Sequence, residues 1–596
     1  MHYTMIWCMG LLPWGVSLSA AAEPAPAPAP ARWSVAEGGA VGDGQADATG
    51  AFQRALDAAG KAGGGVVEVP AGRYAIRGNL AIPAGVTLQG TYRVPPTIER
   101  DAAGELKGSV LLAYAGRGKP DDKPFIRLAG NNAAIAGLVI TYPEWKQTDV
   151  PPVPYPPCVL AEGVENVGVQ ECLLLNPYEG IKLIRAARHL VRNVTGYPIK
   201  RGLYVDECYD IGHIENVHYW PFGVRYNPHD PYCLWINTEG VAFELARTDW
   251  HYVFNTFCFG YGVGYKFSES KAGSTNGNFL GLGADSCQRA VVVDQAQPPG
   301  LLITNGEFVG RWSSQDAVCV EIGPKVAGKV SLVNCSFWGP IDRCVWVRSP
   351  AGQFSANACH FVHWDVRGTG SPALQLDEGR VSVQGCTFAQ EGTAVQIGEK
   401  ITSAIVVGNQ ASGGLLVENL AGGRAQLFAN ETSPVEWTAE ALRHYRVEIG
   451  AEGDGRFLRG FHGREKLPDR KGPRSMRWSM ASSRLSLPVA AEVPYTLTLE
   501  ANTPEAAISS EAGIYLDGKR VAELKPGAAT VTVRLPPAAG ELVALELRCR
   551  GWVPRQVQRG SNDDRTLGLS LYSLTMRADG AADRLFIANT GQWQEP

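Results

Sequence analysis

The stretch NPYEGIKL, residues 176–183, sets a lysine between two aliphatic residues, and KRGLYV, residues 200–205, sets a tyrosine between two more. Each reads as a small residue followed by apolar, any, apolar. Side chains alternate across a strand, so if Ile181 and Leu183 fill an interior, Lys182 points out of it.

The same triplet returns as Gly223-Val-Arg-Tyr, Gly264-Tyr-Lys-Phe, Ala290-Val-Val-Val, Ala317-Val-Cys-Val, Cys344-Val-Trp-Val, Ala373-Leu-Gln-Leu, Ala394-Val-Gln-Ile and Gly414-Leu-Leu-Val. Starts recur roughly every 20–30 residues. The gap of 41 residues between Gly223 and Gly264 is divided by Gly240-Val-Ala-Phe. A second row lies upstream in many units, at Glu171, Asn193, Asn216, Asn255, Asn305, Asn334 and Gly385. Short strands separated by Gly-, Asn- and Pro-containing bends predict an all-β chain built on a parallel β-helix of about ten or more coils. Like residues then stack about 4.8 Å apart. The asparagines are expected to form a ladder inside the coil. Cys172, Cys335, Cys359 and Cys386 are expected to pack as free thiols beside Phe337, Phe361 and Phe388.

Bulk properties narrow the function classes. The 596 residues carry a formal net charge of −4 with 19% charged residues, so no basic field points to nucleic acid. None of the 13 cysteines falls in paired C-x-x-C spacing. No metal site or other cofactor is expected; calcium stays possible, because its oxygen ligands can converge from separate coils. No segment after the N-terminus is long and apolar enough to span a bilayer. Residues 1–22 read as a signal peptide cleaved after Ala22, which predicts a secreted or periplasmic protein, and residues 23–33 read as a Pro/Ala-rich linker.

Between Gly42 and Gly90, Asp47 or Thr49 is placed to cap a short helix whose Phe52, Ala55, Leu56 and Ala59 share one face, followed by the Pro70-Ala71-Gly72 turn and strands at Tyr74 and Val86. Such a helix would cover the exposed end of a solenoid. This block resembles the opening of the pectate lyase superfamily, the pectin-lyase-like right-handed β-helices. The resemblance implies a right-handed solenoid over residues 34–432 that handles polysaccharides along one outer sheet. In polygalacturonases an aspartate precedes the strand, with a paired aspartate one coil later and a Gly-His-Gly beyond. Here those places hold Glu179, then Lys200 and Arg201, and no Gly-His-Gly occurs, so that chemistry does not carry over.

With the flanking residues of each triplet inward, the middle column is expected to run Lys182, Tyr204, Arg225, Ala242, Lys266, and the next outward column Ile184, Asp206, Asn227, Glu244, Ser268. Cations repeating at about 5–10 Å match an extended anionic polysaccharide, the expected partner. Arg201, His218, Trp220, Trp235, Asp249 and Trp250 concentrate nearby and are candidate substrate-binding residues.

Two chemistries fit. In β-elimination a cation neutralises a uronate, a base removes the adjacent proton and an acid meets the leaving oxygen, with Lys182, Arg201, Arg225 and Lys266 as neutraliser or base and Tyr204 or His218 as partners. In inverting hydrolysis Asp206 and Glu244, expected two coils apart at roughly 9.6 Å, form the carboxylate pair, while Glu179 works with a loop carboxylate such as Asp249. A noncatalytic glycan binder would use the same cations and rings.

Residues 433–580 alternate in the manner of antiparallel strands and predict a β-sandwich. Trp478, LDGKRVAEL at 516–524, GWVP at 551–554 and DRTLG at 564–568 resemble jelly-roll modules of carbohydrate-handling proteins. The cationic run between Arg456 and Arg477, made of Arg459, His462, Arg464, Lys466, Arg470, Lys471 and Arg474, is expected to pack on the solenoid or to bind glycan.

Overall fold

The computed structural model describes residues 31–93, 100, 104–311, 316–433, 435–467 and 474–594. The expected signal peptide, most of the linker, and Arg470 and Lys471 lie outside the described residues.

Helix α1, Thr49–Lys61, closes the first coil by burying Phe52, Ala55, Leu56 and Ala59. Its N-cap is Ala48, which makes no side-chain bond. Capping comes from one residue earlier, where the Asp47 carboxylate accepts from the Thr49 N–H at 3.0 Å and hydroxyl at 2.6 Å. Thr49 Oγ1 in turn accepts from the Arg77 and Gly78 amides at 3.0 Å, tying the helix to the next coil.

Behind this cap the chain winds as a right-handed parallel β-helix with three sheet faces. In the third, Ile181 pairs with Leu203, Leu203 with Phe243, Phe243 with Tyr265 and Tyr265 with Val291, and the row continues through Val320, Val345 and Leu374. These residues are buried, as the triplets require.

The register differs from expectation in the middle of the chain. Gly223-Val-Arg-Tyr is not a coil; it lies in a loop between strand His213–Tyr219 and helix α2, Pro231–Glu239. Pro221 and Pro228 bracket it, and proline cannot donate to a ladder. The strand beside Arg201–Asp206 is Val241–Leu245, aligned as Ala242-Phe-Glu-Leu, two residues later than the Gly240 triplet. The Ala317 and Gly414 triplets are likewise entered two residues later, at Val320 and Val417. A slip of two leaves inside and outside unchanged.

The asparagine row is a ladder, but it lines an outer corner. Asn193, Asn216, Asn255, Asn305 and Asn334 hold φ of 51–56° at the bend between the first and second sheets, the left-handed conformation asparagine tolerates best among side-chain-bearing residues. Asn216 donates to Asn193 Oδ1 at 2.7 Å and Asn334 to Asn305 Oδ1 at 2.8 Å. Inside, Cys172, Cys335, Cys359 and Cys386 are buried free thiols. Phe337, Phe361 and Phe388 stack with ring centroids 4.9 and 4.8 Å apart.

The C-terminal unit is antiparallel except where Tyr445 and Arg446 pair in parallel with Phe586 and Ile587, and it runs to strand Gln592–Gln594, past the expected end at 580. Strand Arg474–Pro488 turns the corner between two layers: Arg477 and Trp478 pair with Leu571 and Ser570, while Arg484–Leu487 pair with Glu546–Val543. It docks on the last coils through Glu391, whose carboxylate accepts from the Gly453 amide at 2.6 Å, the Gly455 amide at 3.1 Å and Arg464 at 2.8 Å. The cationic run therefore packs on the solenoid in part.

Candidate functional site

On the outer face of the third sheet, Lys182, Tyr204, Glu244 and Lys266 occupy successive strands of one column. Glu244 holds the place expected for Arg225, because Ala242-Phe-Glu-Leu is the coil. Arg201 binds Glu179 through one guanidinium nitrogen at 2.8 Å and Glu244 through the other at 3.0 Å. Its plane sits over the Tyr204 ring, 4.5 Å from the centroid. Burial alone would weaken the Arg201 charge, but Glu179 and Glu244 more than offset it and hold the guanidinium above its ordinary pKa.

Tyr204 donates to Asp206 Oδ2 at 3.2 Å. Burial, followed by the Asp206 and Glu244 carboxylates, pushes its phenol pKa well up. Asp206 is buried, and its Oδ1 accepts from the Arg247 amide at 3.1 Å and the Ser270 hydroxyl at 2.8 Å. Arg247 also forks onto Asp249 at 2.6 and 2.8 Å, and Asp249 accepts from Asn276 and Gln297 at 2.9 Å. Burial would raise the Asp249 pKa, yet these donors hold it below the ordinary value. Asp206 and Glu244 lie on neighbouring strands, one coil apart rather than two, because no strand intervenes. Lys266 pairs with Asp294 at 3.5 Å. Lys182 is half-buried and has no carboxylate partner among the described residues.

A wall rises where the chain passes from the second sheet to the third. Helix α2 begins at Pro231 with the Asp230 carboxylate accepting from the Tyr232 and Cys233 amides at 3.0 and 3.3 Å. Trp145, in the equivalent loop of an earlier coil, donates to the Tyr232 hydroxyl at 2.6 Å. Gln147 and the Arg225 backbone exchange hydrogen bonds at 2.8 and 3.0 Å, so Arg225 belongs to this wall. Trp235 faces Tyr178 with centroids 6.3 Å apart, and Lys200 lies 5.4 Å over the Trp235 ring while pairing with Glu239 at 3.2 Å.

Other candidates sit elsewhere. His218 and Trp220 belong to the outer face of the second sheet, where His218 packs 4.9 Å from Phe257 and Trp220 4.6 Å from Phe259. Burial lowers the His218 pKa. Trp250 stands at the corner between third and first sheets, 64% exposed with φ of 50°.

Sequence reasoning passed over Tyr178, although it adjoins Glu179 in the opening stretch. It also passed over Arg127, whose Ile126-Arg127-Leu128 is the same apolar-any-apolar triplet. Arg127 lies in the Lys182 column with Leu160 between them, exposed and without a carboxylate partner among the described residues. Among the described residues, no three His, Cys, Asp or Glu side chains are grouped to hold a metal ion. No helix there is long and apolar enough to cross a membrane.

Residues 33–129 match the family model described as "Rhamnogalacturonase A/epimerase, pectate lyase-like". Among solved structures, the chain is similar to the Azotobacter vinelandii mannuronan C-5 epimerase AlgE6 A-module, at 14% identity over 68% of this chain and 100% of that one, with a TM-score of 0.34. It is similar to the tailspike protein of E. coli bacteriophage HK620 in complex with pentasaccharide, at 12% identity over 92% and 94%, with a TM-score of 0.45. It is also similar to PfbA, a surface adhesin of Streptococcus pneumoniae, at 14% identity over 69% and 96%, with a TM-score of 0.36. No curated protein sequence matches the chain. The parallel β-helix of the strand pairings agrees with the pectate-lyase-like description of the family model matched at residues 33–129.

Proposed function

We propose that this pectate-lyase-like solenoid binds an acidic polysaccharide in the groove of its third sheet and cleaves it by β-elimination. The observation that carries the reading is Lys182, a half-buried ammonium without a carboxylate partner among the described residues, next in its column to Tyr204 and Glu244. A uronate paired with Lys182 has part of its charge neutralised, which acidifies the C5 proton. Glu244 is the base for that proton. Tyr204, kept protonated by its surroundings, is the acid for the leaving oxygen, and Asp206 orients the phenol. Arg201 fixes Glu244 and Glu179 in place. Tyr178 and Trp235 offer ring faces to a sugar at the wall. Such a substrate is met outside the cytoplasm, in keeping with the signal peptide expected at residues 1–22.

A specific observation supports inverting hydrolysis as a second reading. Glu179 and Glu244 bind different nitrogens of one guanidinium, so their bonded oxygens are at most about 8 Å apart, below the roughly 9.5 Å upper limit of inverting carboxylate pairs.

The test is incubation with polygalacturonate, rhamnogalacturonan, alginate and hyaluronan, following the ultraviolet absorbance of an unsaturated product together with new reducing ends. Both signals rising supports elimination. Reducing ends without the chromophore transfer the chemistry to hydrolysis, and binding without either signal makes the protein a glycan binder.

A further inference from the structure

Four arginines of the solenoid's third sheet, Arg201, Arg289, Arg343 and Arg348, are neutralised by carboxylates. Arg456, Arg459 and Arg484 of the C-terminal unit do not, among the described residues. Arg456 reaches only the Ser433 hydroxyl, at 2.6 Å, and its Nε is buried with no acceptor. Arg459 donates only to the backbone carbonyls of Gly455 and Leu458, at 2.9 and 2.7 Å. Arg484 is exposed and is directly opposite Arg459 in an antiparallel pair, where like charges repel. Asp365 and Glu418 attract Arg459 through space, but burial dominates and lowers its pKa. Glu546, opposite Arg484 on its other side, is held by Arg548 at 2.6 Å.

These guanidiniums face empty space. Two cavities of about 680 and 970 Å³ lie between the last coils and the C-terminal unit, and both are lined by Arg459. The larger also has Arg456 and Arg484, with Val417, Trp437 and Phe457 as apolar lining and the carboxylates Glu418, Asp517 and Glu546 at its wall, of which Glu546 is held by Arg548. Crevices between domains, apolar with a few convergent charged groups, are where small ligands bind, and guanidiniums suit carboxylate and sulfate.

We infer that this crevice is a second binding site, separate from the third-sheet groove, that takes an acidic saccharide with its anionic group on Arg456, Arg459 and Arg484. Bound there, the anion offsets the repulsion between Arg459 and Arg484.

The experiment uses the full chain carrying Lys182→Ala, so that the groove is weakened, and titrates it calorimetrically with digalacturonate and, separately, inorganic sulfate. Digalacturonate is expected to bind, more weakly as salt rises, with affinity falling at least about tenfold on adding Arg484→Ala. The Arg484 side chain makes no hydrogen bond among the described residues, so this variant is expected to melt no lower than its parent. Leu542→Trp, at an exposed position lining the larger cavity, should also weaken binding while leaving all three arginines in place. Unchanged affinity in Arg484→Ala, or sulfate binding without digalacturonate binding, overturns the inference. Failure of the cleavage assay does not touch it, because Lys182 takes no part.

Discussion

The third-sheet face divides into two halves built on the same strand spacing. Downstream, Arg289 pairs with Glu321 at 2.6 Å and Asp316 at 3.0 Å, Arg343 with Asp316 at 3.1 Å, and Arg348 with Glu321 while lying over Trp346. Trp346 donates to Asp377 at 2.8 Å. Upstream, from Lys182 to Lys266, the face carries the same residue types but leaves the Lys182 charge open beside a wall formed by α2 and the Trp145 loop. The interiors differ as well. The downstream coils are filled by the Phe337, Phe361 and Phe388 stack, whereas the upstream corner holds two buried imidazoles, His189 and His251, with centroids 5.0 Å apart. A Cβ on Gly212 would come within 2.4 Å of both rings. The difference teaches that a polar ladder is not in itself a site: one half is closed by its own ion pairs, and the other leaves a charge for something else to meet.

The largest effect should come from Glu244→Gln, expected to lower turnover about a thousandfold, while Glu321→Gln on the closed half leaves it within about twofold. Equal losses in steady-state assays would erase the distinction. Phe361→Ala should cost about 3–5 kcal/mol in denaturant unfolding without changing turnover of the folded protein, placing the downstream half on the side of stability.

The imidazoles should make the upstream half acid-labile. Burial lowers the His189 pKa from 6.5 to about 4 and that of His251 well below 6.5. Between those values the unfolded chain binds protons that the folded one does not, so stability is full above pH 6.5 and is lost as pH falls toward 4, by about 3 kcal/mol from His189 alone. Thermal unfolding followed from pH 7 to pH 4 should show this decline, and His189→Gln should flatten it. The smallest effect is on binding: Lys182→Ala should weaken an acidic polysaccharide about tenfold and reduce its salt dependence, with Arg348→Ala unchanged. Equal behaviour of the two variants would mean that Lys182 is an ordinary wet residue.

Much of this arrangement was legible in the sequence. The capping helix, the buried triplets, the free thiols among phenylalanines and the outward direction of Lys182, Tyr204 and Lys266 follow from local pattern. Other parts were not. Arg225 and Glu244 exchanged roles because Gly223-Val-Arg-Tyr and Ala242-Phe-Glu-Leu carry the same pattern, and only one can lie beside Gly202-Leu-Tyr-Val. His218 and Trp220 looked adjacent to the groove because they are near it in sequence, yet one coil visits three faces.

The sequence by itself determined which side chains are inside and which outside, because alternation has a period of two and survives a slip of two residues. Only the tertiary structure decided which outward residues share a face and which charges cancel. Strand partners are chosen across a whole coil, and the excursion from Trp220 to Glu239, with prolines that cannot join a ladder, changes that choice without changing the local pattern.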